Sequence, residues 1–392
     1  MIEIKKPDGW KQSTLDKVAT IERLSIQPDS IKEGTKYIGL ENINRGGNIK
    51  DFSIVMNGDI ASSKFQFTES HILYGKLRPY LKKISRPSFL GVCSTDILPI
   101  KPSESIDKNY LFYYLRQEIL VNLATTRSTG VNLPRISPKI LAKFPIVYPP
   151  LEEQKRIAAI LDKADGVRRK RREAIRLTEE LARSLFLDMF GDPATNPKGW
   201  DVVKLEELTN RPITYGILKP GEHNKNGIPM LRIQDLEDGT VKTSGLHCVS
   251  QKLSDQYNRT ILKGGEILVS LVGTLGTVGV VPKELYGANI HRNLGLIDVR
   301  SDLINPRFIA SYLIFSGVSS FLKRRTKGGV QSLFNLSDLR ELPVFLPSRK
   351  LQEEFDTFYQ KHDLFYARSQ KFKQQSENLF NSLLQRAFRG DL

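Results

Sequence analysis

The side chains best equipped for chemistry in this sequence are cations and amides gathered in short turns. One turn holds four cations beside two tyrosines, and these cations are Lys76, Arg78, Lys82 and Lys83. Contacts from lysine and arginine to phosphates set the affinity and register of a protein on DNA, so this turn is a candidate DNA contact. An ordinary solvated surface has a similar composition and stays open as the alternative.

A second set of candidates lies in two loops at equivalent places in the two halves of the chain. The loop over residues 126–132 contributes Arg127 and Asn132. The loop over residues 323–331 contributes Lys323, Arg324, Arg325, Lys327 and Gln331. The cations can reach phosphates, and an Asn or Gln side chain is suited to a bidentate contact with adenine.

Scattered polar residues of the second half are further candidates for base contacts. They are Arg232, Gln234, Asn289 and Arg292, together with His291. Ordinary surface polarity explains these residues equally well, because nothing in their spacing is specific to a nucleic-acid site.

The sequence carries no motif for catalysis or for metal binding. It has no GxxxxGK[ST] loop, and residues 273–279 follow GxxGxxG, which indicates close strand packing rather than a nucleotide site. The five histidines form no HExxH motif, and the adjacent His247 and Cys248 would point to opposite faces of a strand. We therefore expect no catalytic residue and no metal ligand.

Composition points to a polyanionic partner. The chain has 392 residues, enough for two domains with proper cores, and a formal net charge of +16. The positive excess lies mainly outside two long helical stretches, whose charges of both signs nearly balance. Nucleic acid is the most common partner of so basic a protein.

The elements that must position these residues occur twice. Trp10 and Trp200 open the two halves. Pro145 and Pro343 begin the strand-like runs that close the halves, and these two prolines are 198 residues apart. A repeat this long is a duplicated domain plus helix. We predict two domains over residues 1–150 and 193–348, and long helices over residues 151–192 and 349–392.

Both helical stretches carry an apolar seam in one heptad register, which predicts a coiled coil. The predicted seam consists of Ile157, Ile160, Ala164, Val167, Leu181, Leu185, Phe355, Phe358, Phe365, Phe372, Leu379 and Leu383. Because the second domain must turn the chain back, the helices should pair antiparallel and form a spacer of roughly 55 Å at 1.5 Å per residue. The alternative is that each helix packs only on its own domain.

A run of five cations, residues 168–172, falls in the middle of the first long helix. Five consecutive residues of a helix cannot all face one way. We predict an exposed surface there, directed at the DNA backbone or at acidic patches on partner proteins.

Several segments together resemble a known family, the specificity (S) subunits of type I restriction–modification systems. Residues 148–158, with the long helix that follows, resemble the central conserved region of that family, and residues 384–392 resemble its distal conserved region. Residues 75–81, Gly-Lys-Leu-Arg-Pro-Tyr-Leu, resemble its basic strand turn. The two Gly-Trp pairs match the start of each domain, so the resemblance covers the whole chain in order.

The resemblance implies an α+β fold, in which two mixed α/β target recognition domains are related by a pseudo-two-fold repeat and separated by an antiparallel coiled coil. Each domain would read half of a bipartite site in double-stranded DNA. Two methyltransferase (M) subunits would dock on the helices, and restriction–translocase (R) subunits would join them. The chain itself would be non-catalytic and hold no cofactor, while its partner subunits are expected to use S-adenosylmethionine, ATP and Mg²⁺.

One departure from the repeat bears on specificity. Where the first domain has the basic turn over residues 76–80, the second has residues 271–276 with no basic side chain. The two domains should therefore read different sequences and give an asymmetric site.

Two other functions stay open at the level of sequence. One is a nuclease with an active site of its own, and the other is a stand-alone coiled-coil protein that binds DNA or acts as an adaptor. The first six residues lack the apolar core of a signal peptide, and two distant cysteines do not make a disulfide framework. Both observations predict a cytoplasmic protein.

Overall fold

The chain divides into two compact units. The computed structural model describes residues 6–56, 58–237, 239–272, 276–315 and 335–392. Unit 1 comprises Met1–Arg172 and Lys371–Leu392, and unit 2 comprises Glu173–Gln370. Each unit therefore combines one globular head with part of each long helix.

Unit 1 is built from short strands and helices that precede the first long helix. Its strands are β1 Lys11–Thr14, β2 Ala19–Ile21, β3 Ser25–Ile26, β4 Lys36–Ile38, β5 Ser53–Ile54, β6 Lys64–Phe67, β7 Ile72–Gly75, β8 Ile84–Ser85, β9 Gly91–Cys93, β10 Ile97–Pro102 and β11 Pro145–Tyr148. Its helices are α1 Leu15–Val18, α2 Lys108–Leu115, α3 Glu118–Thr126 and α4 Pro138–Ala142, followed by the long helix α5 Leu151–Phe190. Its 3₁₀ turns are Pro28–Ser30, Leu40–Asn42 and Pro79–Leu81.

Unit 2 repeats this plan. Its strands are β12 Val202–Lys204, β13 Thr214–Tyr215, β14 Ile228–Leu231, β15 Leu236–Glu237, β16 Thr240–Val241, β17 His247–Val249, β18 Ile267–Ser270, β19 Val278–Val280, β20 Asn289–Ile290, β21 Leu294–Ile297 and β22 Pro343–Phe345. Its helices are α6 Gln251–Gln256, α7 Pro306–Phe315 and α8 Leu336–Arg340, followed by the long helix α9 Arg349–Arg389. Its 3₁₀ turns are Leu205–Leu208, Ile233–Asp235, Asn258–Thr260 and Lys283–Leu285.

The sheet topology confirms the repeat. In unit 1 the strand order is β2-β10-β7-β8, and β1 pairs antiparallel with β11. In unit 2 the order is β13-β21-β18-β19, and β12 pairs antiparallel with β22. Each head thus folds its first strand against the strand that leads directly into its long helix.

A buried glutamine fixes each long helix to its own head in the same way. The Gln154 side-chain oxygen accepts a hydrogen bond from the Asp107 amide at 2.8 Å, and its nitrogen donates to the Pro149 carbonyl at 2.8 Å. The Gln352 oxygen accepts from the Asn305 amide at 2.8 Å, and its nitrogen donates to a carbonyl at 2.9 Å. Both side chains are almost completely buried. Unpaired backbone groups are expensive to bury, so these bonds favour one angle between helix and head.

One helix predicted from the sequence of unit 1 is interrupted. The spacing of leucines predicts a continuous helix over residues 107–123, but the chain forms α2 and α3 with a break between them. Gln117 adopts an extended backbone with ψ of 142°, and its side chain donates to the Tyr114 carbonyl at 3.2 Å. That carbonyl lies at the end of α2, so the glutamine helps to end the helix. In unit 2, the proline after Asn305 predicts the start of a helix that continues to Phe315, and α7 confirms it.

The two long helices pair antiparallel within each unit, as predicted. In unit 1, Arg156 of α5 contacts Leu392, three residues after the end of α9, whereas Arg171, further along α5, contacts the earlier Ser376 of α9. In unit 2, Glu179 receives a hydrogen bond from Tyr366 at 2.9 Å. The apolar side chains at the helix ends also join the core of each head, but the alternative that each helix packs only on its own domain is wrong. Among the described residues, no helix is both long and apolar enough to cross a membrane.

The predicted seam is wrong at five of its twelve residues. Ile157 and Phe355 are buried, and five more seam residues are half-buried, as a seam allows: Ile160, Ala164, Leu185, Phe358 and Leu383. The remaining five residues are exposed: Val167, Leu181, Phe365, Phe372 and Leu379. At several positions of the heptad seam, the buried residue is instead the one that follows the predicted residue. These buried residues, which we call the buried line, include Leu161, Arg168, Ile175, Ala182, Tyr359 and Phe380.

In unit 1, an ion-pair cluster inside the helix pair contributes to this shift, because it buries Arg168 in place of Val167. Arg168 pairs with the buried Asp165, donates to Glu377 at 3.3 Å and lies 4.1 Å from the centre of the Phe380 ring. Arg172 also pairs with Glu377. Arginines in the run of cations over residues 168–172 therefore form ion pairs within unit 1, which corrects the prediction of an exposed surface there.

Candidate nucleic-acid interface

Two segments that are distant in sequence meet in unit 1, and both contain predicted DNA contacts. The Arg78 amide donates to the Pro134 carbonyl at 2.7 Å, and the Ile136 amide donates to the Lys76 carbonyl at 3.0 Å. The loop that begins at Arg127 is closed by a pair of hydrogen bonds between Thr129 and Arg135, at 3.0 and 2.8 Å. The basic turn after β7 and the loop after α3 therefore form one continuous surface.

The backbone of the basic turn adopts a conformation that residues other than glycine rarely adopt. Arg78 and Lys82 have φ of 50° and 52°, in the left-handed region, and they flank the 3₁₀ turn Pro79–Leu81. Left-handed backbone is costly for residues other than glycine, and such strain concentrates at functional sites. The turn is thus held in shape by its contacts with the loop.

A single carboxylate orients two cations on this surface. Asp96 lies 3.5 Å from the Lys76 ammonium and 3.5 Å from Nε of Arg135. Arg127 and Asn132 are exposed on the same loop. We call Lys76, Arg78, Arg127, Asn132 and Arg135 the basic surface of unit 1. Its one carboxylate is outnumbered by cations, so the surface suits a phosphate backbone.

The other two predicted cations of the turn are engaged inside unit 1. Lys83 is half-buried, and its ammonium donates to the Leu40 carbonyl at 2.6 Å. Lys82 pairs with Glu118 of α3, and its side chain is largely buried. Lys83 therefore anchors the turn to the head rather than presenting a charge to a partner, and the sequence prediction is corrected at that residue.

In unit 2, a smaller group of basic residues lies around strands β14 and β20. Arg292 and Gln234 are exposed, and Arg232 is half-buried with its Nε 3.4 Å from Asp235. Burial first, and then the nearby positive charge of Arg232, holds the pKa of His247 below its usual range. Burial and the charges of Arg292 and Arg232 lower the pKa of His291 in the same way. The imidazoles are therefore largely neutral near pH 7 and the arginines carry the charge.

Asn289 is wrong as a base-reading residue. Its side chain is completely buried, where its oxygen accepts a hydrogen bond from the Thr260 hydroxyl at 2.5 Å and its nitrogen donates to the Ser254 carbonyl at 3.4 Å. It joins β20 to α6 and to the 3₁₀ turn that follows, and it cannot reach a DNA base. The predicted residues Lys323, Arg324, Arg325, Lys327 and Gln331 lie outside the described residues.

The charges around one cavity of unit 1 already pair with one another. This cavity of about 540 Å³ is lined in part by Arg86, Asp165 and Arg169. Arg86 pairs with Asp162 at 2.8 Å, and Arg169 pairs with Asp165 at 3.1 Å. In the part of the chain that the structure describes, no group of three or more His, Cys, Asp or Glu side chains could hold a metal ion.

The duplicated heads match one protein family along nearly the whole chain. The family model of the type I restriction modification DNA specificity domain matches residues 7–177 and again residues 197–375. The chain belongs to this family. The two matches cover the two heads and most of the helix that follows each of them, which confirms the resemblance found in the sequence.

One relative and two solved structures match this chain over nearly its full length. The type I restriction enzyme EcoBI specificity subunit of Escherichia coli is 26% identical over 98% of this chain and 86% of its own. The type I restriction–modification S subunit from M. genitalium has a similar fold, with a TM-score of 0.60 at 15% identity over 99% of this chain and 98% of its own. A chain from work on the assembly and conformational transition of the type I R-M system has a TM-score of 0.55 to this chain at 22% identity, over 99% of this chain and 100% of its own.

Sequence reasoning on this specificity-family chain missed two residues of the basic surface. Arg135 closes the loop opposite Thr129, and Asp96 holds Arg135 and Lys76 together. A signal for Arg135 was present, because it lies three residues after Asn132 in the same polar loop. No sequence signal marks Asp96, since only the fold brings it beside the turn.

Proposed function

We propose that this chain recognises DNA sequence for a type I restriction–modification complex and reads a bipartite, asymmetric site with its two heads. The observation that carries the proposal is the basic surface of unit 1, where two remote segments with cations and an amide are fastened together by backbone hydrogen bonds. Cations on such a surface would bind phosphates and position Asn132 against base edges. Membership of the specificity family supports the same role.

The two heads would read different half-sites because their equivalent turns differ chemically. Unit 1 has Lys76 and Arg78 after β7, whereas residues 271–276 of unit 2 have no cation after β18. The supporting four-stranded sheet is similar in both units, since its strand order matches. A shared scaffold with different surface residues is the arrangement expected for two independent specificities.

In this proposal the long helices would dock two methyltransferase subunits, to which restriction subunits add. Exposed apolar side chains recur at heptad spacing on both helices and support a docking role: Val167 is 48% exposed, Leu181 57%, Phe365 54% and Leu379 58%. The recognising chain would hold no cofactor and perform no chemistry. Its partners would supply S-adenosylmethionine, ATP and Mg²⁺ for methylation and cleavage.

Replacing Lys76 and Arg78 together with alanine is expected to weaken binding to the first half-site about tenfold and to leave the second half-site unaffected. Each phosphate contact that is lost should also lower the slope of log affinity against log salt by ~0.9. Fluorescence anisotropy on duplexes that carry either half-site, at several salt concentrations, measures both effects. Lys11→Ala with Lys17→Ala, two exposed cations of unit 1 outside the basic surface, is the matched control. Unchanged affinity and slope would exclude this surface as the DNA contact.

Replacing Leu379 with glutamate is expected to weaken assembly with the methyltransferase subunit by about tenfold or more, because a charge would enter an apolar contact. Leu379 is 58% exposed, so the fold of unit 1 should tolerate the change. Asn381→Glu adds the same charge to an exposed residue on another face of α9 and is the control. Analytical ultracentrifugation of mixtures gives the affinities. Equal assembly by both variants would rule out docking at Leu379.

A further inference from the structure

One short motif is repeated in the two heads even though their basic turns are not. Gly130-Val131-Asn132 in the first head corresponds to Gly329-Val330-Gln331 in the second, and both follow a stretch rich in basic and hydroxyl residues. The second copy lies outside the described residues, so the first alone carries the structural argument. A feature common to two heads of different specificity should serve something that both half-sites share.

The structure of the first copy holds an aliphatic side chain fully in solvent. Val131 is 101% exposed, as exposed as a side chain can be, at the tip of the loop that Thr129 and Arg135 close. Gly130 has φ of 101°, and a Cβ there would lie 3.0 Å from the Leu133 carbonyl oxygen, so glycine is required for this bend. Because the loop is also bonded to the basic turn through Arg78 and Pro134, the exposed valine is held in a defined place.

An aliphatic tip among cations is unusual for a surface that only binds phosphates. Arg127 and Arg135 lie on either side of Val131 in the loop, and Asn132 follows it directly. Proteins that deform DNA place apolar side chains as wedges between bases, while neighbouring cations hold the backbone. In this loop, Val131 corresponds to the apolar wedge and the two arginines correspond to the cations that hold the backbone.

We propose that Val131 is a wedge at the base pair whose target base is extruded for methylation by the partner subunit. The proposal rests on the proposed function, since extrusion is needed only if a partner modifies a base in the half-site. Each half-site must contain one such base whatever its remaining sequence is, which explains why the motif occurs in both heads. Extrusion leaves a gap in the base stack, and the valine methyl groups would fill it. Val131 is thus a positioning residue that favours the extruded state.

The test uses the full chain assembled with its methyltransferase subunit and a duplex already methylated in the second half-site. Val131→Ala should lower the rate of methyl transfer to the first half-site roughly tenfold, the effect of losing two buried methyl groups. Affinity for the same duplex should change less than about twofold, because the phosphate contacts remain. On the converse duplex, already methylated in the first half-site, the rate should be unchanged.

A second substrate separates base extrusion from general damage to the loop. An abasic site opposite the target base removes its pairing and makes extrusion easier, so the variant should recover most of the wild-type rate. Val202→Ala, at a valine that is 48% exposed on β12, is the control and should behave as wild type. Equal rates for Val131→Ala and wild type, or a loss that the abasic substrate does not restore, would overturn the wedge. Failure of the wild-type complex to bind DNA with sequence preference would instead overturn the proposed function.

Discussion

Replacing Asp165 with alanine is expected to lower the free energy of unfolding of unit 1 by about 3–5 kcal/mol. Asp165 is only 2% exposed, and it pairs with Arg168, which is 6% exposed. Removing one partner of a buried ion pair leaves the other charge in an environment of low polarity, and that penalty is much larger than the net gain from the pair itself.

A second buried arginine makes the loss larger. Burial lowers the pKa of Arg116 to about 10, and the negative charge of Asp165 acts in the opposite direction. Arg168 is near enough to Arg116 to lower its pKa further. Without Asp165, both buried cations would lose the carboxylate that acts on them, and Glu377 alone would offset the charge of Arg168 at 3.3 Å.

The two tryptophans allow the unfolding of each unit to be followed separately. Trp10 belongs to unit 1 and packs 6.4 Å from the Tyr110 ring, while Trp200 belongs to unit 2. In a Trp200→Phe background, urea unfolding followed by fluorescence reports on unit 1, and in a Trp10→Phe background it reports on unit 2. The midpoint for unit 1 should fall strongly and the midpoint for unit 2 should change little.

Glu152→Ala provides the matched control for the buried pair. Glu152 also pairs with a cation on α5, Lys155 at 2.8 Å, but its side chain is 87% exposed, so water and salt screen the interaction. The Glu152→Ala variant should leave the urea midpoint of unit 1 unchanged. A fall of similar size for both variants would mean that helix propensity or net charge, and not the buried cluster, sets the stability of unit 1.

The same cluster shows why the helix pair was predicted only in part. Heptad spacing was enough to find both helices and their antiparallel pairing, because backbone geometry imposes that period on any buried seam. It could not choose between two neighbouring lines of residues. Phe365 and Leu379 are more apolar than Arg168, yet they are exposed and Arg168 is buried. A charge becomes suitable for the interior only through partners on the other helix, and sequence spacing does not reveal those partners.

The candidate site was predictable to a different degree in the two heads. In unit 1 the turn and the loop each had a recognisable composition, but their contact depends on hydrogen bonds such as that from Arg78 to Pro134. In unit 2 the candidates were isolated polar residues, and Asn289 was wrong because an amide can satisfy its hydrogen bonds inside a protein as well as on DNA. Residue type alone does not distinguish a buried amide from one that reads a base.

Deleting seven residues from each long helix is expected to shorten the preferred gap between the half-sites by about three base pairs. Residues 170–176 and 369–375 are the segments to remove, because each lies between the contacts Arg168–Glu377 and Glu179–Tyr366. Seven residues are two helical turns and roughly 10 Å of rise, and one base pair occupies 3.4 Å. Removal of a whole heptad keeps the buried line on the same face of each helix.

Affinity for DNA with the original gap should fall by about a hundredfold or more, because only one head could then engage its half-site. Even at the new gap, affinity should stay below that of the wild type. Three base pairs turn the second half-site by roughly 100° around the DNA axis, whereas a heptad changes the helix phase by only about 20°. Selection from duplexes with gaps of every length, by the complex assembled with its methyltransferase subunits, measures both quantities. Insertion of a heptad at the same two places is the control and should lengthen the gap by about three base pairs. An unchanged gap in either variant would contradict the proposal that the length of the helices sets the gap.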